Sequence, residues 1–334
     1  MSKTLVIAEI GVNHNGNFKK AKELVAQASK CGADIVKFQI FKTEEIVTKK
    51  VKKTKYQLEK KDKNIFQYKM LKKLELNEQS FFKLKKLCKK YRVEFCASCF
   101  DLDSLYLLKK LNPKRIKIPS GEITNYFLLK KIGSMGKKII LSTGMSNTKE
   151  ISQAIKLLIK SGSKLSNIHL LHCNTEYPTP LKDVNLNAIK SLKKKFKVQV
   201  GYSDHTKSIE VPIAAVTMGA RVIEKHFTLK NTAKGPDHKA SLNPKEFKFM
   251  VNSIRNTEKL LGSKNKNVTQ SEKKNIDFVR KSVVASKRIK KDQKFTHFNL
   301  TAKRAGKGIS PMDINKILKK RAKTNFEKDE TIKI

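Results

Sequence analysis

The stretch RVIEKHFTL, residues 221–229, decides the fold because it reads as the last strand of a repeating pattern. Val222 and Ile223 predict the end of a buried strand, and Glu224, Lys225 and His226 follow them directly. A strand that served only stability would not place an acid, a base and an imidazole there, because burying charge is costly. The stretch therefore predicts a strand whose tip faces a functional site.

Seven similar β-rich runs precede this strand, and amphipathic helical segments separate them. In residues 17–32, for example, Ala21, Leu24, Val25 and Ala28 fall on one helical face. Strict alternation of strand and helix predicts a parallel sheet. Eight repeats in about 250 residues predict a closed (β/α)8 TIM barrel. The predicted strands are Leu5–Ala8, Ile35–Gln39, Val93–Ala97, Arg115–Ile118, Lys138–Ser142, Ile168–Cys173, Val198–Tyr202 and Arg221–Lys225.

Two segments depart from this alternation of strands and helices. Residues 42–71 are too polar for a core and too long for an ordinary connection. Their place after the second strand predicts a lid over the barrel mouth, and the alternative is a loop that is merely tolerated. The predicted domains are a barrel in residues 1–262, a linker in 263–280 and a small domain in 281–334. So short a tail is expected to dock on a barrel, its own or a partner's.

Composition and charge exclude several classes of protein. The chain has 334 residues, 39% of them hydrophobic, and no apolar run long enough for a membrane span, so a cytoplasmic protein is expected. The net charge of +45 suggests nucleic-acid binding, but the lysines are spread over nearly every helix without a nucleic-acid motif. A solvated basic surface that attracts an anionic substrate is the favoured interpretation. The five cysteines indicate reduced thiols, although the pair Cys96 and Cys99 has a redox-type spacing.

Polar side chains follow almost every predicted strand, at the end where a barrel of this type carries its active site. His205 and His226 end neighbouring strands, so their imidazoles could hold a labile divalent cation acting as a Lewis acid. The alternative is that they only form hydrogen bonds in the mouth. Two lysines and two serines, Lys37, Lys117, Ser120 and Ser142, suit a phosphate or carboxylate. Each lysine could instead pair with Glu9 or Glu122.

A series of motifs carries a resemblance to a known family. The chain contains, in this order, IAEIGVNHNG, VKFQ, KIPSGE, LSTGM, HCNTEYPTP, GYSDHT, VIEKHFTL and GPDHKASL. It resembles the N-acetylneuraminate (sialic acid) synthase family over its whole length, and its tail, with KRAGKGISP, is similar to that family's antifreeze-like (SAF) domain. The resemblance implies condensation of phosphoenolpyruvate with an N-acetylated aminohexose such as N-acetylmannosamine. The products would be a nine-carbon 2-keto sugar acid, N-acetylneuraminate, and phosphate.

The resemblance also implies roles for individual residues. His205 and His226 would hold Mn²⁺ or Mg²⁺, which would polarise the aldehyde oxygen of the sugar. Glu122 is the first candidate for general acid/base catalysis, with Glu9 close by. Arg304 of the tail would reach the sugar in a neighbouring subunit, which implies a domain-swapped homodimer. Residues at phosphoenolpyruvate positions are Lys37, Ser98, Lys117, Ser120, Ser142, Thr175 and Ser203, and those at sugar positions are Gln39, Glu122, Tyr177, Asp237 and Arg304.

The sequence leaves several alternatives open. The chain departs from the family at two positions: Thr175 stands at the phosphate contact where family members can carry asparagine, and Ala305 replaces a common proline. A sibling enzyme would use 2,4-diacetamido-2,4,6-trideoxymannose and make N,N'-diacetyllegionaminate. A Schiff-base aldolase would use Lys37 or Lys117 as its nucleophile. From another class, the chain could be a basic nucleic-acid-binding module with an inactive barrel.

Overall fold

A computed structural model describes residues 3–54, 57–58 and 65–334. The chain divides into two compact units, Met1–Gly262 and Ser263–Ile334. In the described residues, no helix is both long and apolar enough to cross a membrane.

The first unit is a closed barrel of eight parallel strands in sequential order, which confirms the predicted TIM barrel. Several strands extend further than predicted at their C-terminal ends, because the ladder continues through the polar tip residues. Glu9 pairs with His226 across the closing seam between β1 and β8, for example. The strands are β1 (Leu5–Gly11), β2 (Ile35–Ile40), β3 (Glu94–Cys99), β4 (Arg115–Ile118), β5 (Lys138–Ser142), β6 (Ile168–Cys173), β7 (Gln199–Asp204) and β8 (Val222–His226).

Helices surround the barrel, and asparagine side chains cap several of their N-termini. Asn147 and Asn243 form complete capping boxes with Glu150 and Glu246. The helices of this unit are α1 (Phe18–Lys30), α2 (Thr43–Ile46), α3 (Gln67–Lys72), α4 (Glu78–Lys90), α5 (Leu102–Leu111), α6 (Tyr126–Gly133), α7 (Thr148–Lys160), α8 (Asn187–Phe196), α9 (Glu210–Thr217) and α10 (Pro244–Leu260).

Apolar residues fill the space between strands and helices, and a smaller apolar layer fills the barrel interior. Strand side chains alternate between the two faces. The interior layer therefore takes one residue in two, and on most of the strands that contribute to it the next inward residue lies at the C-terminal mouth, as for Glu9, Lys37, Ser98, Ser142 and Glu224. The interior layer consists of Ile7, Ile35, Cys96, Ile140, Leu171 and Val222.

The same alternation of side chains tests whether Cys96 and Cys99 could form a redox pair. Cys96 belongs to the interior layer and Cys99 to the outer core, so their thiols lie on opposite faces of β3. Burial raises the pKa of Cys96 to about 12 and raises that of Cys99 as well. Neither thiol has the lowered pKa of a reactive cysteine, so this pair is not a redox centre.

The described part of the insertion of residues 42–71 contains α2, most of α3 and a β-bridge between Lys52 and Phe66. Residues 55–56 and 59–64 of the predicted lid lie outside the described residues. The apolar residues of α3 and its neighbours, Met70, Leu71 and Leu74, pack with Val12 and Phe41 in a cluster separate from the main core.

The second unit has a core of its own, although a tail this short was expected to depend on docking. Strands β9 (Ser282–Ala285) and β10 (Leu300–Lys303) pair antiparallel. Helices α11 (Gln270–Lys273) and α12 (Ile276–Val279) lie in the segment predicted as a linker. Buried apolar residues of this unit are Val283, Ala285, Ile289, Phe295, Leu300, Ile317, Ala322, Phe326 and Ile332.

Candidate active site

The C-terminal ends of the eight strands open into a cavity of about 530 Å³. Polar and charged residues from the strand tips line it, as the sequence predicts for a TIM barrel. The cavity brings together nearly all the predicted site residues: Glu9, Lys37, Gln39, Ser98, Lys117, Ser120, Ser142, Thr175, Tyr177, Ser203, His205, His226 and Asp237.

Glu224 is the centre of the charge network in this cavity. Its Oε1 accepts hydrogen bonds from Lys117 Nζ at 3.2 Å and Ser203 Oγ at 3.1 Å, and Lys37 Nζ lies 3.6 Å away. Burial alone would raise the pKa of Glu224, but the charges of Lys117 and Lys37 outweigh it and hold the pKa at about 2. The carboxylate is therefore ionised and compensates the two ammonium groups.

Lys37 has a second carboxylate partner in Glu9, whose Oε2 lies 2.9 Å from Nζ. Burial lowers the pKa of Lys37, but Glu224 and Glu9 outweigh it and keep this pKa above its usual value. A lysine held protonated in this way is a poor nucleophile, which disfavours a Schiff-base mechanism through Lys37. The predicted alternative of internal ion pairs thus holds for Lys37 with Glu9, and the partner of Lys117 is Glu224 rather than Glu122.

Of the two serine hydroxyl groups near the lysines, one forms a hydrogen bond within the protein and the other does not. Ser120 Oγ accepts a hydrogen bond from the backbone N–H of Gly144 at 3.1 Å. Ser142 Oγ is buried and has no hydrogen-bond partner among the described residues. A buried hydroxyl without a partner is costly unless a ligand satisfies it. Ser142, together with the two ammonium groups, therefore suits an anionic ligand.

His205 and His226 face each other with ring centroids 5.5 Å apart. His205 Nδ1 lies 2.5 Å from the carbonyl oxygen of Asn174. Because a carbonyl only accepts, Nδ1 carries the proton, and the Nε2 lone pair faces the Tyr177 hydroxyl at 3.0 Å. Burial lowers the pKa of His205 to about 4 and holds that of His226 well below its usual value. Both imidazoles are therefore neutral at physiological pH.

These two histidines fit a divalent cation. Neutral imidazole is the form that binds metals, and a ligating histidine typically donates its other N–H to a carbonyl, as His205 does. His226 Nδ1 is buried without a hydrogen-bond partner in the described chain, with Asp237 Oδ2 3.7 Å away. Within residues 3–54, 57–58 and 65–334, no group of three or more His, Cys, Asp or Glu is placed to hold a metal. Protein ligands would thus leave coordination positions open for substrate oxygens.

Asp237 and Tyr177 lie beside the two histidines. The Tyr177 ring stacks on His205 with centroids 4.0 Å apart. Burial, with a smaller contribution from the charge of Glu9, raises the pKa of Asp237 to about 7. This aspartate therefore changes its protonation near neutral pH.

Two predicted site residues are not among those lining the cavity. Glu122 lies in a 3₁₀ turn, Ser120–Glu122, where its carboxylate accepts a hydrogen bond from Asn125 Nδ2 at 2.7 Å. Burial raises the pKa of Glu122. Arg304 follows β10 in the second unit and is exposed there. Their proposed roles in catalysis and sugar binding remain predictions.

Glu224 is the residue that the sequence reasoning named but did not assign to the site. The signal was present, since residues two apart on a strand share a face. Glu224 and His226 therefore face inward together, and Lys225 points to the outer face. The acid and the imidazole of the opening stretch belong to the cavity, whereas the lysine between them does not.

The insertion contributes Thr54, Gln57, Met70 and Leu71 to the cavity lining, next to Leu74. The described part of the insertion thus borders the mouth, as a lid would. Val12, Phe100 and Met145 add further apolar surface to the lining. The cavity therefore has a charged part, formed by the residues at the strand tips, and an apolar part. Met70, Leu71 and Leu74 of the insertion side are called the apolar rim.

A closed (β/α)8 barrel with paired lysines and paired histidines at its mouth defines a barrel enzyme for an anionic substrate. Comparison with known proteins narrows this class. Residues 24–266 match the model of the NeuB family, and residues 280–334 match that of the SAF domain. The chain belongs to the NeuB family, so the predicted resemblance, the SAF domain and the assignment as an enzyme of this synthase type are confirmed.

Individual relatives cover most or all of the chain. The N,N'-diacetyllegionaminic acid synthase of Campylobacter jejuni is 51% identical over 333 residues, which is 100% of each chain. The protein of the same name from Legionella pneumophila is 43% identical, over 98% of this chain and 92% of its own. A crystal structure of N-acetylneuraminic acid (sialic acid) synthetase from Leptospira borgpetersenii, in complex with citrate, superposes with a TM-score of 0.73 at 33% identity. It covers 83% of this chain and 91% of the other.

Proposed function

We propose that this protein condenses phosphoenolpyruvate with an N-acetylated aminohexose and releases phosphate. The observation that carries the proposal is the pairing, in one cavity, of two buried ammonium groups with two neutral imidazoles. The first pair suits the phosphate and carboxylate of phosphoenolpyruvate. The second pair suits a divalent cation beside a sugar oxygen. Membership of the NeuB family supports this division of the site.

Lys37 and Lys117 bind the anionic groups of phosphoenolpyruvate, and Ser142 donates its free hydroxyl to the same groups. Glu224 holds both lysines in place and compensates their charge before the substrate arrives. Ser98, Ser120, Thr175 and Ser203 complete this end of the site. The arrangement fixes the enolic C3 carbon of phosphoenolpyruvate so that it faces the sugar, which lowers the entropy cost of the reaction.

His205 and His226 would hold a divalent cation, Mn²⁺ or Mg²⁺, and a cation bound there would supply Lewis-acid chemistry on the side of the sugar's aldehyde group. Gln39, Tyr177 and Asp237 surround the sugar on this side. C3 of phosphoenolpyruvate forms a bond to the aldehyde carbon, the aldehyde oxygen takes up a proton, water adds at C2, and the tetrahedral intermediate expels phosphate. Atoms balance as one phosphoenolpyruvate, one sugar and one water to one nine-carbon keto acid and one phosphate.

A carboxyl group must move the protons of these steps. Glu9 lines the cavity, and burial raises its pKa despite the charge of Lys37. Glu122 is the second candidate, outside the cavity lining in this conformation. The variants Glu9→Gln and Glu122→Gln separate them, because loss of the acid/base removes one limb of the pH profile of kcat. The other variant keeps both limbs.

For the sugar, we propose 2,4-diacetamido-2,4,6-trideoxymannose, with N,N'-diacetyllegionaminate as the product. This reverses the order of the two candidates expected from sequence. The relatives named N,N'-diacetyllegionaminic acid synthase are 51% and 43% identical to the chain. The apolar rim formed by Met70, Leu71 and Leu74 also suits a methyl group and a second acetamido group better than hydroxyls.

The test is kcat/KM for the two sugars at saturating phosphoenolpyruvate. We expect at least about a tenfold preference for the diacetamido sugar, the effect of one or two buried methyl groups. Leu71→Ser should reduce this preference while leaving the KM of phosphoenolpyruvate unchanged. An equal or higher kcat/KM for N-acetylmannosamine would indicate that N-acetylmannosamine is the substrate.

Arg304 and a swapped homodimer remain part of the proposal. The SAF unit has its own core, so it can be presented to a second subunit without unfolding. Arg304 is exposed on that unit and is free to contact the N-acetyl group of a sugar in a partner's barrel. Sedimentation equilibrium of the full chain tests the dimer.

A further inference from the structure

Strand β8 carries a buried cation on its outer face that the proposed reaction does not use. Lys225 is fully buried, with 0% of its surface exposed. Its Nζ lies 2.5 Å from Oδ2 of Asp204, which is equally buried. The two residues are direct partners in the ladder between β7 and β8. This ion pair therefore joins β8, which carries His226, to the last residue of β7, which directly precedes His205.

The pair lies directly behind the wall of the active site. On β7, Asp204 stands between Ser203 and His205, and both of these neighbours line the cavity. On β8, Lys225 stands between Glu224 and His226, which line it as well. Because strand side chains alternate, a shift of the outward-facing pair would move the inward-facing residues on either side.

Lys225 also fixes the segment that follows His205. Its Nζ donates to the carbonyl oxygen of Thr206 at 2.5 Å and lies 3.4 Å from that of Ser208. Asp204 Oδ1 accepts a hydrogen bond from the backbone N–H of Thr206 at 2.9 Å. All three ammonium hydrogens therefore have acceptors, and the backbone on both sides of His205 is tied to β8.

Stability alone does not explain a charged pair at this depth. Replacing a buried ion pair by apolar residues of similar volume is often neutral or stabilising. An apolar pair, however, could not bind the carbonyls of Thr206 and Ser208. We propose that Lys225 and Asp204 are positioning residues, which set the place of His205 relative to His226 and thereby the affinity of the metal site. This inference rests on the proposed metal role of the two histidines.

The double variant Lys225→Met/Asp204→Leu tests it, because it replaces the pair by apolar residues without leaving a lone buried charge. We expect the variant to keep its Tm within a few degrees and to bind Mn²⁺ at least about tenfold more weakly, as for losses of outer-sphere partners. The Mn²⁺ Kd is measured from the electron paramagnetic resonance signal of free Mn²⁺, without substrates.

The matched control is Arg115→Met/Glu94→Leu. This pair also joins neighbouring strands, with Arg115 Nε 2.5 Å from Glu94 Oε1, but it lies at the opposite end of the barrel. We expect its Mn²⁺ Kd to equal that of the wild type whatever happens to its Tm. If the double variant of Lys225 and Asp204 does not fold, Lys225→Gln/Asp204→Asn serves instead, since it also removes both charges together and keeps polar side chains at this depth.

Three outcomes are informative. A weaker Mn²⁺ Kd in the folded Lys225 or Asp204 variants, with the control unchanged, supports the inference. An unchanged Kd in these variants, with binding lost in His226→Ala, overturns the positioning role and leaves the metal site standing. No Mn²⁺ binding by the wild-type chain overturns both.

Discussion

Replacing Glu224 by glutamine removes one negative charge from the centre of the network and keeps the side-chain shape. In the wild type, Glu224 Oε1 lies 3.2 Å from Lys117 Nζ and 3.6 Å from Lys37 Nζ, all nearly inaccessible to solvent. Among the described residues, glutamine would leave Glu9 as the only carboxylate in ion-pair contact with these two ammonium groups. Breaking a buried ion pair in this way costs about 3–5 kcal/mol. For a barrel of this size, that loss lowers the Tm by roughly 6–20 °C.

Phosphoenolpyruvate should restore part of this loss, since its anionic groups replace the missing carboxylate beside Lys37 and Lys117. Saturating phosphoenolpyruvate is therefore expected to raise the Tm of Glu224→Gln by more than it raises that of the wild type. Differential scanning calorimetry with and without the ligand measures both effects.

Glu122→Gln is the matched control, because Glu122 is half-buried and its carboxylate accepts a hydrogen bond from the neutral side chain of Asn125. We expect this variant to lose little stability and to respond to phosphoenolpyruvate as the wild type does. Two results would refute the reasoning. One is a stability loss in Glu224→Gln below about 1 kcal/mol, the range of an exposed ion pair. The other is an equal response of variant and wild type to phosphoenolpyruvate.

Two further predictions concern the metal and the tail. Metal binding requires neutral imidazoles, and burial lowers the pKa of His205 to about 4. Asp237, 3.7 Å from His226, titrates near pH 7, so the prediction is made for Asp237→Asn, in which this carboxyl group is absent. In that variant the Mn²⁺ affinity should change little between pH 7 and pH 5.5 and fall only as the pH approaches about 4. Titration calorimetry of the variant at several pH values checks this, and a loss of affinity centred near pH 6.5 would mean that burial does not lower the pKa of the histidines. Arg304→Ala should raise the KM of the sugar far more than that of phosphoenolpyruvate in steady-state assays, and equal increases would speak against a contact with the sugar.

Much of the barrel could be predicted from sequence, because strand and helix periods differ and each helix carries one apolar face. The helix with Ala21, Leu24, Val25 and Ala28 buries these four residues as predicted. Several predicted strands end too early, because a polar residue usually marks the end of a buried strand. Ser203, Asp204 and His226 show why this fails, as they continue the ladder into a mouth where polar side chains have partners.

The site was predicted less completely than the fold. The converging lysines, serines and histidines followed from their places at strand tips. The role of Glu224 could have followed from its sharing a face with His226. The pairing of Lys225 with Asp204 could not, because it depends on the register between β7 and β8. Register arises from packing across the whole barrel and leaves no local signature in sequence.

Phosphate release measured with phosphoenolpyruvate, 2,4-diacetamido-2,4,6-trideoxymannose and Mn²⁺ tests the central claim most directly. The account predicts that the wild type releases phosphate only when the amino sugar is present, in equal amounts with the keto acid. It also predicts that His226→Ala keeps the fold, seen by circular dichroism, and releases none. Phosphate release without a sugar, or undiminished turnover in His226→Ala, would contradict the account.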